Sequence, residues 1–440
     1  MAEIAPFRGL CFDPRRVEIA RVLAPPYDVI SDDDRNALEA QDAYNSVRLI
    51  LPRGDGDTRY AAAARTLDAW RSVGVLVRDK VPALYRYHQT YTRAELGPNP
   101  VTRRGFVCAV RLHHFDEGVI LPHERTLRGP KEDRLKLMRA TRAHFSQIFG
   151  LYPDPERLAD RAFESAEARA PELEGRTTDG TLHRLWRVTD AATVRAVTTV
   201  LAAKNVYIAD GHHRYETMLA LREEFRASGT KGPRATTEYA TMFLANMDDP
   251  GLVVLPTHRL VHSLASFDRE QVLAAARAWF DVAEIAGGAS DAMTLRGQLA
   301  ARAAERPSFA LVVPGDERAW ILSLRVAPEA AGLVGPPALT TLDVTILHAL
   351  VLERMLGIDR AAQEAQSHIT YVKDTASALD RVRRGEAQVG FLMHPTRVRQ
   401  VKDVSDVGEV MPQKSTFFYP KIASGLVMNP LDPFEELASV

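Results

Sequence analysis

The chain has 440 residues, 46% hydrophobic and 26% charged, with a formal net charge of −1. That length accommodates two or three domains with a large core, and near-neutrality excludes a global field drawing the chain to nucleic acid or an anionic membrane. Two cysteines, Cys11 and Cys108, are too few for a disulfide framework or a cysteine metal site.

Asp32, Asp33 and Asp34 follow Ser31 and read as a helix cap rather than a metal site. Residues 46–51 are expected to form a strand, and 60–73 an amphipathic helix with Tyr60, Ala64, Leu67 and Trp70 on one face. Residues 83–92 and 104–112 read as hairpin strands around the polar loop 96–100, and 132–145 and 154–170 as helices. Further strands are expected at 239–245 and 252–256. After a boundary near 263–290, with a helix around 272–280, strands are expected at 309–313, 320–324, 368–372, 389–393 and 426–428. Helices at 342–355, 375–384 and 396–404 alternate with them. Such alternation predicts a mixed α/β (α+β) architecture, divided as residues 1–270 and 271–440. No apolar run nears the ~20 residues that span a bilayer, and residues 1–10 lack a signal-peptide core. The expectation is a cytoplasmic protein without a membrane partner.

The most informative stretch is 205–217. Val206 and Ile208 mark a buried strand, Asp210-Gly211 a sharp turn, and Tyr215, Met218, Leu219 and Phe225 a helix. Helix first turns favour acids, because their unpaired N–H groups carry partial positive charge. This one carries His212, His213 and Arg214 instead. Added cations cost a few tenths to about 1 kcal/mol each unless an anion faces them, and glycine turns before helices bind phosphate through backbone donors. A solvated turn is the plain alternative. A zinc or iron site using Asp210, His212 and His213 is another, but adjacent histidines rarely converge on one ion and no His-x-x-x-His spacing supports it. Phosphate is the better reading.

Other segments carry candidate chemistry. His123 and Glu124 follow the apolar run 119–121 and are expected at a strand end, where a carboxylate could take a proton from a substrate hydroxyl. The stretch Arg128-Gly129-Pro130-Lys131 reads as a loop entering a helix, with Lys131 and Arg134 more naturally a solvated helix end than phosphate ligands. His258 and Arg259 are expected just past a strand, on the substrate side. Lys414-Ser415-Thr416 with Lys421 lacks the glycines of a P-loop, but its ammonium and hydroxyl donors suit an anion clamp.

Two resemblances follow from these motifs. Ala24-Pro25-Pro26-Tyr27-Asp28, Pro122-His123-Glu124, Gly129-Pro130-Lys131, the Asp210 turn and Met411-Pro412-Gln413-Lys414-Ser415-Thr416-Phe417-Phe418-Tyr419-Pro420-Lys421 resemble the hallmarks of a large prokaryotic family catalogued as a domain of unknown function, over nearly the whole chain. The Asp210-Gly211-His212-His213-Arg214 turn resembles the phosphate-binding motif of the ParB/sulfiredoxin superfamily, nearest to its free serine kinases. That resemblance implies a ParB/sulfiredoxin-like nucleotide-binding core in residues 1–270 with an N-terminal elaboration, followed by a C-terminal α/β domain. It further implies a nucleotide-dependent phosphotransferase acting on the hydroxyl of a small metabolite, with free serine the suggested acceptor. Glu124 would be the base, with Asp210 and His213 also catalytic. Gly211, His212, His213, Arg214, Lys414, Ser415, Thr416 and Lys421 would hold phosphates, His123, His258 and Arg259 the substrate, and Asp210 a Mg²⁺ accompanying ATP or ADP. A ParB-like regulator binding DNA or a protein partner, and a phosphate-ester hydrolase, are the rival readings. The sequence leaves the oligomeric state open.

Overall fold

The computed structural model describes residues 1–125, 128–229 and 232–438, without the side chains of 128–130. Arg128, Gly129 and Pro130 therefore lie outside the described side chains. The chain divides into two compact units. The first comprises residues 1–122, 126–253 and 420–440, and the second 123–125 and 254–419. Packing thus divides the chain at 253/254, and the expected limit at 270/271 falls inside the helix Arg269–Ala276. The last residues rejoin the first unit, where Gln147 donates to the Val427 carbonyl and Leu10 bridges Met428.

In the first unit a mixed sheet runs in the order Ile120–Leu121, Val206–Asp210, Ile148–Tyr152, Tyr239–Asn246, Val101–Arg111, Leu84–Tyr91, Leu182–Val188, Leu173–Arg176. Leu84–Tyr91 and Val101–Arg111 form the expected antiparallel hairpin. Because side chains alternate along a strand, Phe106, Cys108 and Val110 share one face. Tyr215 and Met218 of the helix His212–Ala227 and Val194 and Val197 of Ala191–Leu201 pack into that core. A fully buried side chain of this size contributes about 1.5–3 kcal/mol. Arg103, Val107 and Ala109 take the opposite face. The helix Asp32–Gln41 is started by a reciprocal Ser31–Asp34 capping box, as the sequence suggests.

The second unit holds an antiparallel sheet ordered Phe280–Ile285, Ala319–Leu324, Ser308–Val312, Val389–Met393, His258–Val261, Ile369–Val372. Its core includes Leu260, Leu295, Ile321, Ala378 and Leu392. The two sheets with their helices make the chain mixed α/β.

Several expectations fail locally. Residues 46–51 form a helical turn, Val47–Ile50, because a short apolar run fits either period. The helix expected over 154–170 is two short pieces, Leu158–Ala162 and Glu164–Glu167. Residues 342–355 begin as a helix but continue as a π-helix, Leu347–Met355. His258 and Arg259 lie inside a strand, not beyond one. Instead of a strand at 426–428, only Asn429–Pro430 is one, paired with Ala143–His144. Among the described residues no helix is long and apolar enough to cross a membrane.

Burial holds four imidazoles neutral. It lowers His144, His258 and His348 to about 3 and His183 to about 4 from an ordinary 6.5. Below pH 6.5 the unfolded chain therefore binds more protons than the folded one, so stability present above that pH is lost as pH falls toward 3–4. Each histidine costs about 1.4 kcal/mol per pH unit in that window. Asp343, pushed up to about 7 by burial, and Asp249, also raised by burial, oppose this but are two groups against four. The urea midpoint is expected to fall steadily from pH 7 to pH 5, and a flat midpoint would contradict the buried neutral imidazoles.

Candidate functional site

The turn after Val206–Asp210 carries the first cluster. The ladder with Ile148–Tyr152 shifts register between Ile208 and Asp210. Such a bulge re-aims a side chain at a strand end. Ile208 joins the helix-covered core, while the Asp210 carboxylate meets Lys421 and Arg214. Arg214 Nη2 donates to Asp210 Oδ2 at 2.7 Å, its Nη1 donates to the Gln147 carbonyl, and Lys421 Nζ donates to Asp210 Oδ1. Burial alone would raise the Asp210 carboxyl, but Lys421 and Arg214 outweigh it and hold the group well below the usual carboxylate range.

Gly211 is required here on two counts. Its φ is 93°, the left-handed region, and a Cβ would stand 2.9 Å from Arg214 guanidinium nitrogens. As N-cap it supplies no side-chain acceptor, and no acid occupies the first turn of the 16-residue helix His212–Ala227. His212 and Arg214 are buried and His213 half-buried. Arg214 thus points back under the turn.

Behind this cluster Arg103 is fully buried, stacked 4.7 Å from the Phe149 ring centroid. It donates to the Pro420 carbonyl and to Gln89, whose amide donates to the Lys421 carbonyl at 2.9 Å. Arg103 Nε and Nη1 have no hydrogen-bond partner. Burial lowers its pKa to about 10, and Asp210 acts in the opposite sense. Sequence analysis did not single out Arg103, which lies just before the strand expected over 104–112; the observed strand Val101–Arg111 includes it.

A cavity of about 460 Å³ is lined by Lys421, Ala24, Pro25, Leu38, Asp179 and His183, among others. Its polar wall is fixed in advance. His183 sits between Tyr87 Oη at 2.6 Å and Thr177 Oγ1 at 3.0 Å, and Asp179 accepts from Thr177 at 2.6 Å. None of these wall residues was singled out from sequence, since a hairpin turn rich in Thr and Asp is ordinary. The hallmark Tyr27 also belongs to this unit, with Arg134 over its ring at 4.1 Å.

The second cluster lies wholly in the second unit. His123 Nε2 bonds Thr416 Oγ1 at 2.9 Å, and Glu124 Oε1 accepts the Lys414 amide at 3.2 Å. The Met411 amide donates to the His123 carbonyl at 2.9 Å. Lys414 has a φ of 59°, and its carbonyl accepts from Arg259 at 3.2 Å. Ser415 Oγ donates to the Pro412 carbonyl. His258 is a core residue: one ring nitrogen accepts the Met393 amide and the other bonds Thr375, both at 3.0 Å. Arg259 is buried against Tyr371 and His348. The anticipated residues therefore sort into two groups, Asp210 to Arg214 with Lys421, and His123, Glu124, His258, Arg259 and Lys414 to Thr416.

The residues do not fit a metal on Asp210. Both its oxygens are taken by cations, and among the described residues no group of three His, Cys, Asp or Glu is placed to hold an ion.

A family model described as "Protein of unknown function (DUF1015)" matches residues 4–345. The chain belongs to the DUF1015 family. No curated protein matches it. Among solved structures, this DUF1015 chain is similar to a conserved hypothetical protein from Pyrococcus furiosus, at 16% identity, 69% of this chain and 89% of that one, and a TM-score of 0.33. It is similar to a free serine kinase variant in complex with ADP, at 13% identity, 72% and 90% coverage, and a TM-score of 0.35. It is similar also to SbnI with a C-terminal truncation from Staphylococcus aureus, at 9% identity, 72% and 85% coverage, and a TM-score of 0.35. Likenesses this distant carry no weight for mechanism.

Removing one partner of a buried ion pair typically costs about 3–5 kcal/mol, because the other charge is left uncompensated. Asp210→Asn is expected to destabilise by about that much in urea unfolding, and adding Lys421→Met should recover part of it. An unchanged midpoint in the single variant would show that the carboxylate does not organise the turn.

Proposed function

We propose that the chain is a nucleotide-dependent phosphotransferase acting on the hydroxyl of a small metabolite, built on a ParB/sulfiredoxin-like core in its first unit. One observation carries the reading. Two cations share the single carboxylate of Asp210 at a helix start with no acidic residue in its first turn, and Lys421 also lines the adjoining cavity. That triad has a surplus positive charge, and an entering phosphate would offset it. The resemblance of the turn to that of the free serine kinases makes free serine the acceptor to try first.

In this proposal the amides following Gly211, with His212 and His213, receive the phosphates of ATP or ADP. Lys421 shifts part of its interaction from Asp210 to the incoming anion. Arg214, held by Asp210 and Gln147, acts mainly as a positioning residue that shapes the turn. The apolar part of the cavity accommodates the base, and Thr177, Asp179 and His183 supply polar contacts. Phosphoryl transfer needs chiefly positioning and charge neutralisation. Within the first unit His213 is proposed as the general base that takes the hydroxyl proton; in the second unit Lys414 to Thr416, with Glu124 accepting the Lys414 amide, are proposed as a separate anion clamp. Asp210 is assigned to orientation, and no step is routed through a metal.

The test is a thermal-shift screen of nucleotides followed by phosphorus NMR with serine and other hydroxyl metabolites. At a hundredfold excess over its dissociation constant a nucleotide should stabilise the fold by about 2.7 kcal/mol. Lys421→Met should abolish most of that shift, and the absence of a shift with any nucleotide would defeat the phosphate site. His213→Gln should lower turnover by roughly 10² to 10⁴. Unchanged turnover would remove His213 from the base role. Inorganic phosphate released without an acceptor would make the protein a hydrolase.

A further inference from the structure

The second unit holds a separate cavity of about 320 Å³, within the range of small-molecule pockets, about 300–1,000 Å³. The π-helix Leu347–Met355 forms part of its wall, through His348, Ala349 and Glu353. π-Helical turns are rare and recur at functional sites. The hallmark residues Met411, Pro412 and Gln413 line the cavity as well. His348 anchors its polar floor, with Nδ1 bonded to Gln363 Oε1 at 2.7 Å.

The informative feature is the charge. Arg125, Arg360, Glu353, Glu364 and Glu409 all line this cavity, yet no ion pair joins any two of them. Arg360 and Glu364 stand four residues apart on the helix Arg360–Ala365, a spacing that brings side chains together, and still they do not pair. Elsewhere in the same unit the exposed arginines Arg383 and Arg384 do find carboxylates, Asp380 and Glu386. A wall presenting both signs without internal neutralisation complements a ligand that itself carries both signs. Three carboxylates against two guanidinium groups leave one negative charge, which selects a ligand with one net positive charge.

We propose that this cavity binds a small zwitterion of the basic amino-acid class, with its carboxylate on Arg125 and Arg360 and its two cationic groups on Glu353, Glu364 and Glu409. The apolar lining from Leu339 and Val410 packs against the methylene chain between them. The inference does not depend on the phosphotransferase reading, since all its residues lie in the second unit.

Calorimetric titration of the full chain tests it with three probes: L-lysine, norleucine without the second ammonium, and 1,5-diaminopentane without the carboxylate. Lysine should bind, and each analogue should bind about tenfold or more weakly, as expected for loss of a charge-assisted hydrogen bond. Arg360→Gln should weaken lysine and leave the diamine unchanged, whereas Glu353→Gln combined with Glu364→Gln should weaken both. These side chains are exposed, so the variants should fold. Absence of lysine binding would overturn the site, and equal binding of either analogue would overturn the ligand class.

Discussion

A carboxylate shared between Lys421 and Arg214 is the interaction on which the first unit's candidate site depends. Asp210 is half-buried at a strand end, and an acid there would favour its protonated form without compensation. Two cations reverse that preference and keep it ionised. The cations depend on it in return, since Lys421 arrives from the last stretch of the chain and Arg214 folds back beneath its own helix. This one ion triad therefore joins the strand, the turn, the helix start and the C-terminal segment. Gly211 is tied to the same constraint, because the guanidinium fills the space that a side chain would need.

Arg103 extends the logic one layer deeper. A fully buried guanidinium with two unpartnered nitrogens is costly, and its retention on the sheet face behind Lys421 adds positive potential where the turn already has a surplus. The Gln89 amide links the two, holding the Lys421 carbonyl while its oxygen takes an Arg103 donor. The arrangement is one of fixed charges and pre-set hydrogen bonds, as electrostatic binding of phosphate requires. The second unit organises its motif differently. There the loop around Lys414 is held by backbone and hydroxyl bonds from His123, Glu124 and Arg259, and its buried imidazoles are neutral spacers rather than charges.

Local sequence determined the elements whose signals are short-range. The alternation of Val206 and Ile208, the Asp210-Gly211 turn and the helical spacing of Tyr215, Met218 and Leu219 gave a strand, a turn and a helix where they stand. Ser31 with Asp34 gave a helix start for the same reason, since both partners lie within one turn. The anomaly of cations at the start of His212–Ala227 was likewise visible, because the rule it breaks concerns only adjacent residues.

Only the tertiary structure decided how the charges are used. Asp210 and Lys421 are 211 residues apart, and no spacing rule connects them. Arg103 carries no local signal of burial, because what buries it is the packing over its face of the sheet. His258 looked like a ligand until the strand His258–Val261 placed it in a core. The short apolar run 46–51 fitted both periods, so packing chose the helical turn. Sequence fixes which groups are available and their local geometry. Burial and long-range pairing then set their charge state and direction, because the dielectric around a group and the partner that neutralises it come from segments far away in the chain.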